Sequence, residues 1–225
     1  MLVLAIDTAL AACSVAVLDT GRGGIAGRES EPMARGQAEV LMPMVARVMR
    51  AAAVDFAALD RIAVTVGPGS FTGLRVGIAA ARGIALAAGK PAVGLSTLAA
   101  YAAPHIAADD TAPVVAAIDA RHSQVYLQVF GPAGRTLVAP RLASLAEAVR
   151  AADGASRIVG NAAALIAASS PPARPPAAID ARAAPDIDWV AQLGAAAPEG
   201  QAPPKPLYLR APDAQPQDAA RLPRR

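Results

Sequence analysis

The chain has 225 residues, of which 54% are hydrophobic, only 3% aromatic and 17% charged, with a formal net charge of +3. That apolar content excludes disorder over the whole length and suffices for one sizeable core or two small ones, filled by Ala, Val, Leu and Ile. The lone Cys13 excludes an internal disulfide and a structural thiolate zinc site, which fits a reducing cytoplasm, and the basic residues are scattered apart from Arg221, Arg224 and Arg225 instead of forming the stripe of a strongly electrostatic nucleic-acid binder.

In chain order, Val3 to Ile6 and Ser14 to Leu18 are branched runs joined by a turn, which reads as a hairpin, and a third strand is expected near Ile25 to Arg28. The apolar start is broken by Asp7 and has no preceding basic segment, so it reads as strand and not as a secretory signal. No later stretch is expected to span a bilayer once its Arg and Asp interruptions are counted. From Gln37 to Arg50 apolar residues recur at helical spacing, with Pro43 expected to bend or tighten the first half. A strand at Ile62 to Val66, a helix from Phe71 to Ala88, a strand at Ala92 to Leu95 and a short helix from Thr97 to Ala103, capped by Ser96, follow.

A second block then opens at Val115 to Asp119. It continues with strands at Gln124 to Phe130 and Thr136 to Val138, a helix from Leu142 to Arg150, a strand at Arg157 to Val159 and a helix from Asn161 to Ala168. Leu4-Ala5-Ile6-Asp7 and Ala116-Ala117-Ile118-Asp119 open the two blocks alike, so an internally duplicated βββαβα unit is expected, with lobes at 1–108 and 109–225. Proline-rich stretches after Ser170 read as surface linkers flanking one more helix between Asp186 and Ala197, with Trp189 and Leu193 on one side.

The glycine string Gly67-Pro68-Gly69-Ser70-Phe71-Thr72-Gly73 fails both familiar phosphate templates. A Walker loop needs a Gly-Lys-Ser or Gly-Lys-Thr end, and here Leu74-Arg75 follows Gly73; the dinucleotide fingerprint needs a tighter glycine spacing within a parallel βαβ unit. The helix beyond it places Gly73, Gly77 and Ala81 four residues apart on a nearly flat face. Two glycines in a helix cost about 1 kcal/mol each relative to alanine, so close packing of another element is the expected reason. That element is either internal, such as the Gln37 to Arg50 helix with its Met42, Met44 and Met49, or a second subunit.

A duplicated βββαβα unit with an aspartate after the first strand of each half resembles the actin, sugar kinase and Hsp70 ATPase fold, a two-lobed α/β architecture. Within it, AIDTALAACSVAVLD, GPGSFTGLRVGIAAARGIALA, AAIDARHSQVYLQVF and the closing PLYLRAPDAQ are similar to the TsaB (YeaZ) family. The resemblance implies a cytoplasmic, non-catalytic dimerisation subunit of the complex that makes tRNA N6-threonylcarbamoyladenosine. Such a subunit pairs with a catalytic paralogue, TsaD, and a small ATPase, TsaE, and forms a homodimer when alone. The complex uses ATP and magnesium, contacts tRNAs reading ANN codons and involves no membrane; the chain itself is expected to need no cofactor.

On this resemblance the partner interface falls on Glu39, Met42, Met44, Met49, Phe71, Gly73, Leu74, Gly77, Ile78, Ala81 and Ile84. A degenerate nucleotide cleft would involve Asp7, Ser70 and Asp119. Where the family often carries His-Ser-Glu at the start of its first helix, this chain has Gln37-Ala38-Glu39, which leaves Glu39 as the carried-over residue. Asp7 and Asp119 either face the cleft, where the fold's kinases hold magnesium waters, or cap tight turns by accepting backbone N–H bonds. The two histidines, His105 and His122, have no metal-ligand spacing, and His122 reads as a solvated turn residue because it and Ser123 would point to opposite faces of a strand. No zinc signature or nucleophile elbow supports a peptidase. The remaining enzymatic alternative is a small phosphotransferase or ATPase using Asp7 and Asp119.

Overall fold

Each half of the chain begins with three antiparallel strands and ends with two parallel crossovers. The computed structural model describes residues 1–153, 155, 157–171, 178–200 and 202–210. The first half runs β1 (Leu2–Asp7), β2 (Ala12–Asp19), β3 (Gly24–Pro32), α1 (Gln37–Ala52), β4 (Arg61–Gly67), α2 (Phe71–Ala88), β5 (Ala92–Ser96) and α3 (Thr97–Ala108). The second repeats it: β6 (Val114–Arg121), β7 (Gln124–Phe130), β8 (Thr136–Ser144), α4 (Leu145–Ala152), β9 (Arg157–Val159), α5 (Ala163–Ser169), β10 (Ala178–Asp180) and α6 (Ile187–Ala196). The sheets have the same order, β3-β2-β1-β4-β5 and β8-β7-β6-β9-β10, so the two-lobed duplicated α/β architecture is present. A glycine held at positive φ closes β4, Gly67 at 117°, and another directly follows β9, Gly160 at 104°.

The hydrophobic alternation of the central strands is divided between two cores. Leu4 and Ile6 of β1 pack with Leu41, Met44, Val48, Leu74 and Ile78 of α1 and α2, whereas Val3 and Ala5 face Val190 and Ala191 of α6. In the second sheet Val115 and Ala117 face α4 and α5, while Ala116 and Ile118 meet Leu98 and Tyr101 of α3. Thus α6, from the end of the chain, covers the first sheet, α3 covers the second, and the two helices pack on each other between them. A division at 108/109 follows the chain, but the packing crosses it at α6.

Several elements differ from expectation. β8 runs on to Ser144 through Pro140, which an edge strand tolerates because its outer side needs no ladder bond. The fourth helix therefore starts at Leu145, where Ser144 and Glu147 form a reciprocal capping box. α1 runs through the exposed Pro43, as the Gln37 to Arg50 periodicity implies, whereas α3 extends beyond Ala103 through Pro104 to Ala108. β10 is a strand that the sequence pattern does not announce. Arg61, only 5% exposed, donates through Nη1 to the carbonyls of Gly194 (3.0 Å) and Ala197 (2.6 Å), holding the C-terminal end of α6 against the first sheet.

Candidate functional site

The glycine string folds against the turn that joins β1 to β2. Ser70 donates its backbone N–H to the Ala9 carbonyl at 2.7 Å, and its hydroxyl caps α2 by accepting the Gly73 N–H at 3.3 Å. A Cβ on Gly69 would collide with the Ala9 carbonyl, one on Gly73 with the Thr8 carbonyl, and one on Gly77 with the Thr8 hydroxyl. The flat face of α2 is thus filled from within the chain, by the β1–β2 turn and the core side of β1 and β4.

This corrects the expected interface. Gly73, Leu74, Gly77, Ile78, Ala81 and Ile84 of α2, and Met44 and Met49 of α1, are buried on the core side of the first lobe, so they are not available to a partner. The helices α1 and α2 do pack together, but within the subunit and on the same face of the sheet. Of the expected set, Glu39, Met42 (47% exposed) and Phe71 (49% exposed) reach the surface.

What the helix pair presents outward is a second, separate face. α2 is long and apolar enough to cross a bilayer by length and composition, yet only 39% of it is buried within the chain. Its exposed side carries Thr72, Arg75, Ala79, Arg82, Gly83 and Leu86, the last 86% exposed. α1 adds Glu39, Met42, Pro43 and Ala46.

The cleft between the lobes holds about 560 Å3 and is lined by Leu10, Gly69, Ser70 and Phe71 from one side and by residues of β6, its following turn, Tyr126 and Asn161 from the other. Ser70 and Asp119 both line it, but Asp7 does not. Asp7 is fully buried; its Oδ1 accepts from the Thr65 hydroxyl and from the Ala9 N–H (3.0 Å), and its Oδ2 has no hydrogen-bond partner among the described residues. Burial pushes its carboxyl above the usual carboxylate range, with the Thr65 and Ala9 bonds opposing. Asp119 is exposed and caps its turn: Oδ1 accepts the Arg121 N–H at 2.7 Å, and its own N–H donates to Asn161 Oδ1 at 2.8 Å.

These residues do not fit a magnesium nucleotide. The carboxylate that should order the metal's waters lies beneath the chain's own turn, and the Thr8 and Ala9 carbonyls stand against the glycine string where phosphates would need its N–H groups. Nor do His122 and Ser123 form a nucleophile–base couple; with Arg121 they make an exposed turn of three successive left-handed residues, and no hydrogen bond joins the two side chains. His105 instead pairs with Asp180 at 3.0 Å. Among the described residues no three His, Cys, Asp or Glu side chains converge as metal ligands.

Relatives align with the regions that carry this geometry. The family model for TsaD, tRNA N6-adenosine threonylcarbamoyltransferase, matches residues 19–171. The structure of YeaZ from Pseudomonas aeruginosa superposes with a TM-score of 0.72 at 30% identity, covering 92% of this chain and 99% of that one. The chain belongs to the TsaB/YeaZ family. A second Pseudomonas aeruginosa structure, described as an uncharacterized protein with similarity to peptidase YEAZ, gives a TM-score of 0.79 at 31% identity, with 93% and 99% of the chains covered. The Escherichia coli tRNA threonylcarbamoyladenosine biosynthesis protein TsaB is 39% identical over 126 residues, 56% of this chain and 53% of its own. The chain thus matches about half the length of that TsaB relative, and nearly the whole of the YeaZ structures.

Three features of this TsaB/YeaZ chain escaped sequence reading: the inward direction of the glycine face, the burial of Asp7, and the clamp from Arg61 to α6. Only the last had a signal, an arginine at the start of an otherwise apolar strand.

Proposed function

We propose that the chain is a non-catalytic scaffold subunit of the complex that transfers threonylcarbamoyl to N6 of the adenosine beside the anticodon in tRNAs reading ANN codons. It docks a like-folded transferase of the TsaD kind through the outer faces of α1 and α2, pairs with a second copy when alone, and works in the cytoplasm with the small ATPase TsaE. ATP and magnesium belong to the complex and not to this chain.

The observation that carries this reading is the outer face of α2. An apolar 18-residue helix with 39% burial, whose Leu86 in the last turn is 86% exposed, leaves apolar surface in water at about 25 cal/mol per Å2. The match of the transferase family model to residues 19–171 supports a partner built on the same plan, so that paired helices can meet paired helices. The closure of the Asp7 site favours a scaffold over a phosphotransferase.

The test is threonylcarbamoyl transfer to a tRNA transcript by a purified TsaD-type transferase, with and without this chain. Stimulation by the chain, with no turnover by the chain alone, is expected; ATP or peptide turnover by the isolated chain that is lost in Asp119→Ala contradicts the reading.

A further inference from the structure

The interlobe cleft gathers basic and aromatic side chains that lie far apart in the sequence. Arg121 enters from the end of β6, His122 from the turn that follows, and Arg210 from the C-terminal segment, which is tied to the first lobe by the Leu207 N–H donating to the Val66 carbonyl at 2.7 Å. Among the described lining residues the one acid, Asp119, has Oδ1 turned to the Arg121 N–H. At the rim, Phe71 and Tyr208 stack with centroids 5.4 Å apart, Arg75 sits 3.6 Å over the Phe71 ring, and its Nε donates to the Tyr208 hydroxyl at 3.1 Å. Both rings stay near half exposed, at 49% and 44%, in a chain with three phenylalanines and three tyrosines in all.

We propose that this cleft mouth is the chain's own RNA-contacting surface: Arg121 and His122 hold backbone phosphate, and the Phe71–Tyr208 pair offers a platform for an unpaired base. The proposal rests on the reading above that the chain serves a tRNA-modifying complex. Positive charge beside exposed stacked rings is the chemistry that recognises single-stranded RNA, since every base has a face to stack and every nucleotide a phosphate. Ser70, Tyr126 and Asn161 add hydroxyl and amide groups within reach of ribose. A free nucleotide is disfavoured because the turn at Thr8 and Ala9 closes the phosphate position. The rim shares Arg75 with the outer face of α2, whose Ala79 and Leu86 lie further along the helix, so RNA and a protein partner can be held side by side.

Fluorescence anisotropy of a labelled tRNA transcript and of a short single-stranded RNA, titrated with the full chain at low and physiological salt, tests this. The pair Arg121→Glu with His122→Glu should weaken binding about tenfold or more and flatten the salt slope by about one to two. Tyr208→Ala should weaken the single-stranded RNA about tenfold with little change in slope. The control Arg150→Glu, an exposed residue of α4, should change neither. Melting curves matching the parent establish that the variants fold. Unchanged binding in the Arg121/His122 pair, an equal loss in Arg150→Glu, or displacement of RNA by magnesium-ATP or polyglutamate as readily as by unlabelled RNA would overturn the proposal. Co-elution with the transferase is read in parallel: if it fails while the cleft variants still lose RNA, the scaffold reading falls and the cleft assignment stands; if it holds while RNA binding is unaffected, the reverse.

Discussion

Thr8 and Gly73 are locked together from both sides: the Thr8 hydroxyl donates to the Gly73 carbonyl at 2.7 Å, and the Thr8 carbonyl stands where a Cβ on Gly73 would have to go. Gly73→Ala should therefore force the β1–β2 turn away from α2 and destabilise the chain by about 2 kcal/mol or more. Gly83, in the same helix, has nothing among the described residues within 4 Å of its would-be Cβ, so Gly83→Ala should stabilise by about 0.5 to 1 kcal/mol. Thermal melts of the two variants check the contrast, and Gly77→Arg should not yield a folded chain.

Asp7 gives a pH dependence of definite sign. Its folded-state carboxyl titrates above the ordinary value of 3.8, so the native chain binds the extra proton and stability falls as pH rises through the window above 3.8. Asp7→Asn removes that loss while keeping an acceptor for Thr65 and Ala9. It should raise the melting temperature more at pH 8 than at pH 5, and equal shifts at both would mean that the carboxyl carries no such cost. Glu147 acts oppositely: its bonds from Ser144 and Arg141 hold it down at about 2, so its contribution is present above 4.5 and lost as pH falls towards 2.

Arg61 should be among the least replaceable surface-distant residues. Arg61→Ala leaves the carbonyls of Gly194 and Ala197 without their donor and opens space beneath α6, a loss of about 2 to 4 kcal/mol. Urea unfolding measures the loss, and amide exchange should accelerate first in α6. A cost below about 0.5 kcal/mol would show that α6 is held by its apolar face alone.

The repeated order of elements was legible because each half restarts with the same apolar-then-aspartate string, Ile6-Asp7 and Ile118-Asp119. Direction was not legible. Spacing shows that Gly73, Gly77 and Ala81 make a flat stripe, but the filler, the turn at Thr8, lies some sixty-five residues away and has no pattern of its own. For the same reason an aspartate at the end of a strand reads alike whether it faces a cleft, as Asp119 does, or is sealed beneath the following turn, as Asp7 is. The cleft rim combines residues from Phe71 to Arg210, so no sequence window contains it. The Arg221, Arg224 and Arg225 cluster lies outside the described residues.

The central claim is that the outer face of α1 and α2 docks the transferase, and light scattering of size-separated mixtures tests it most directly. Ala79 and Leu86 are exposed on that face, so Ala79→Arg and Leu86→Arg should melt within a few degrees of the parent chain while failing to co-elute with a TsaD-type transferase that the parent binds stoichiometrically. Variants that fold and still form the full complex would contradict the account.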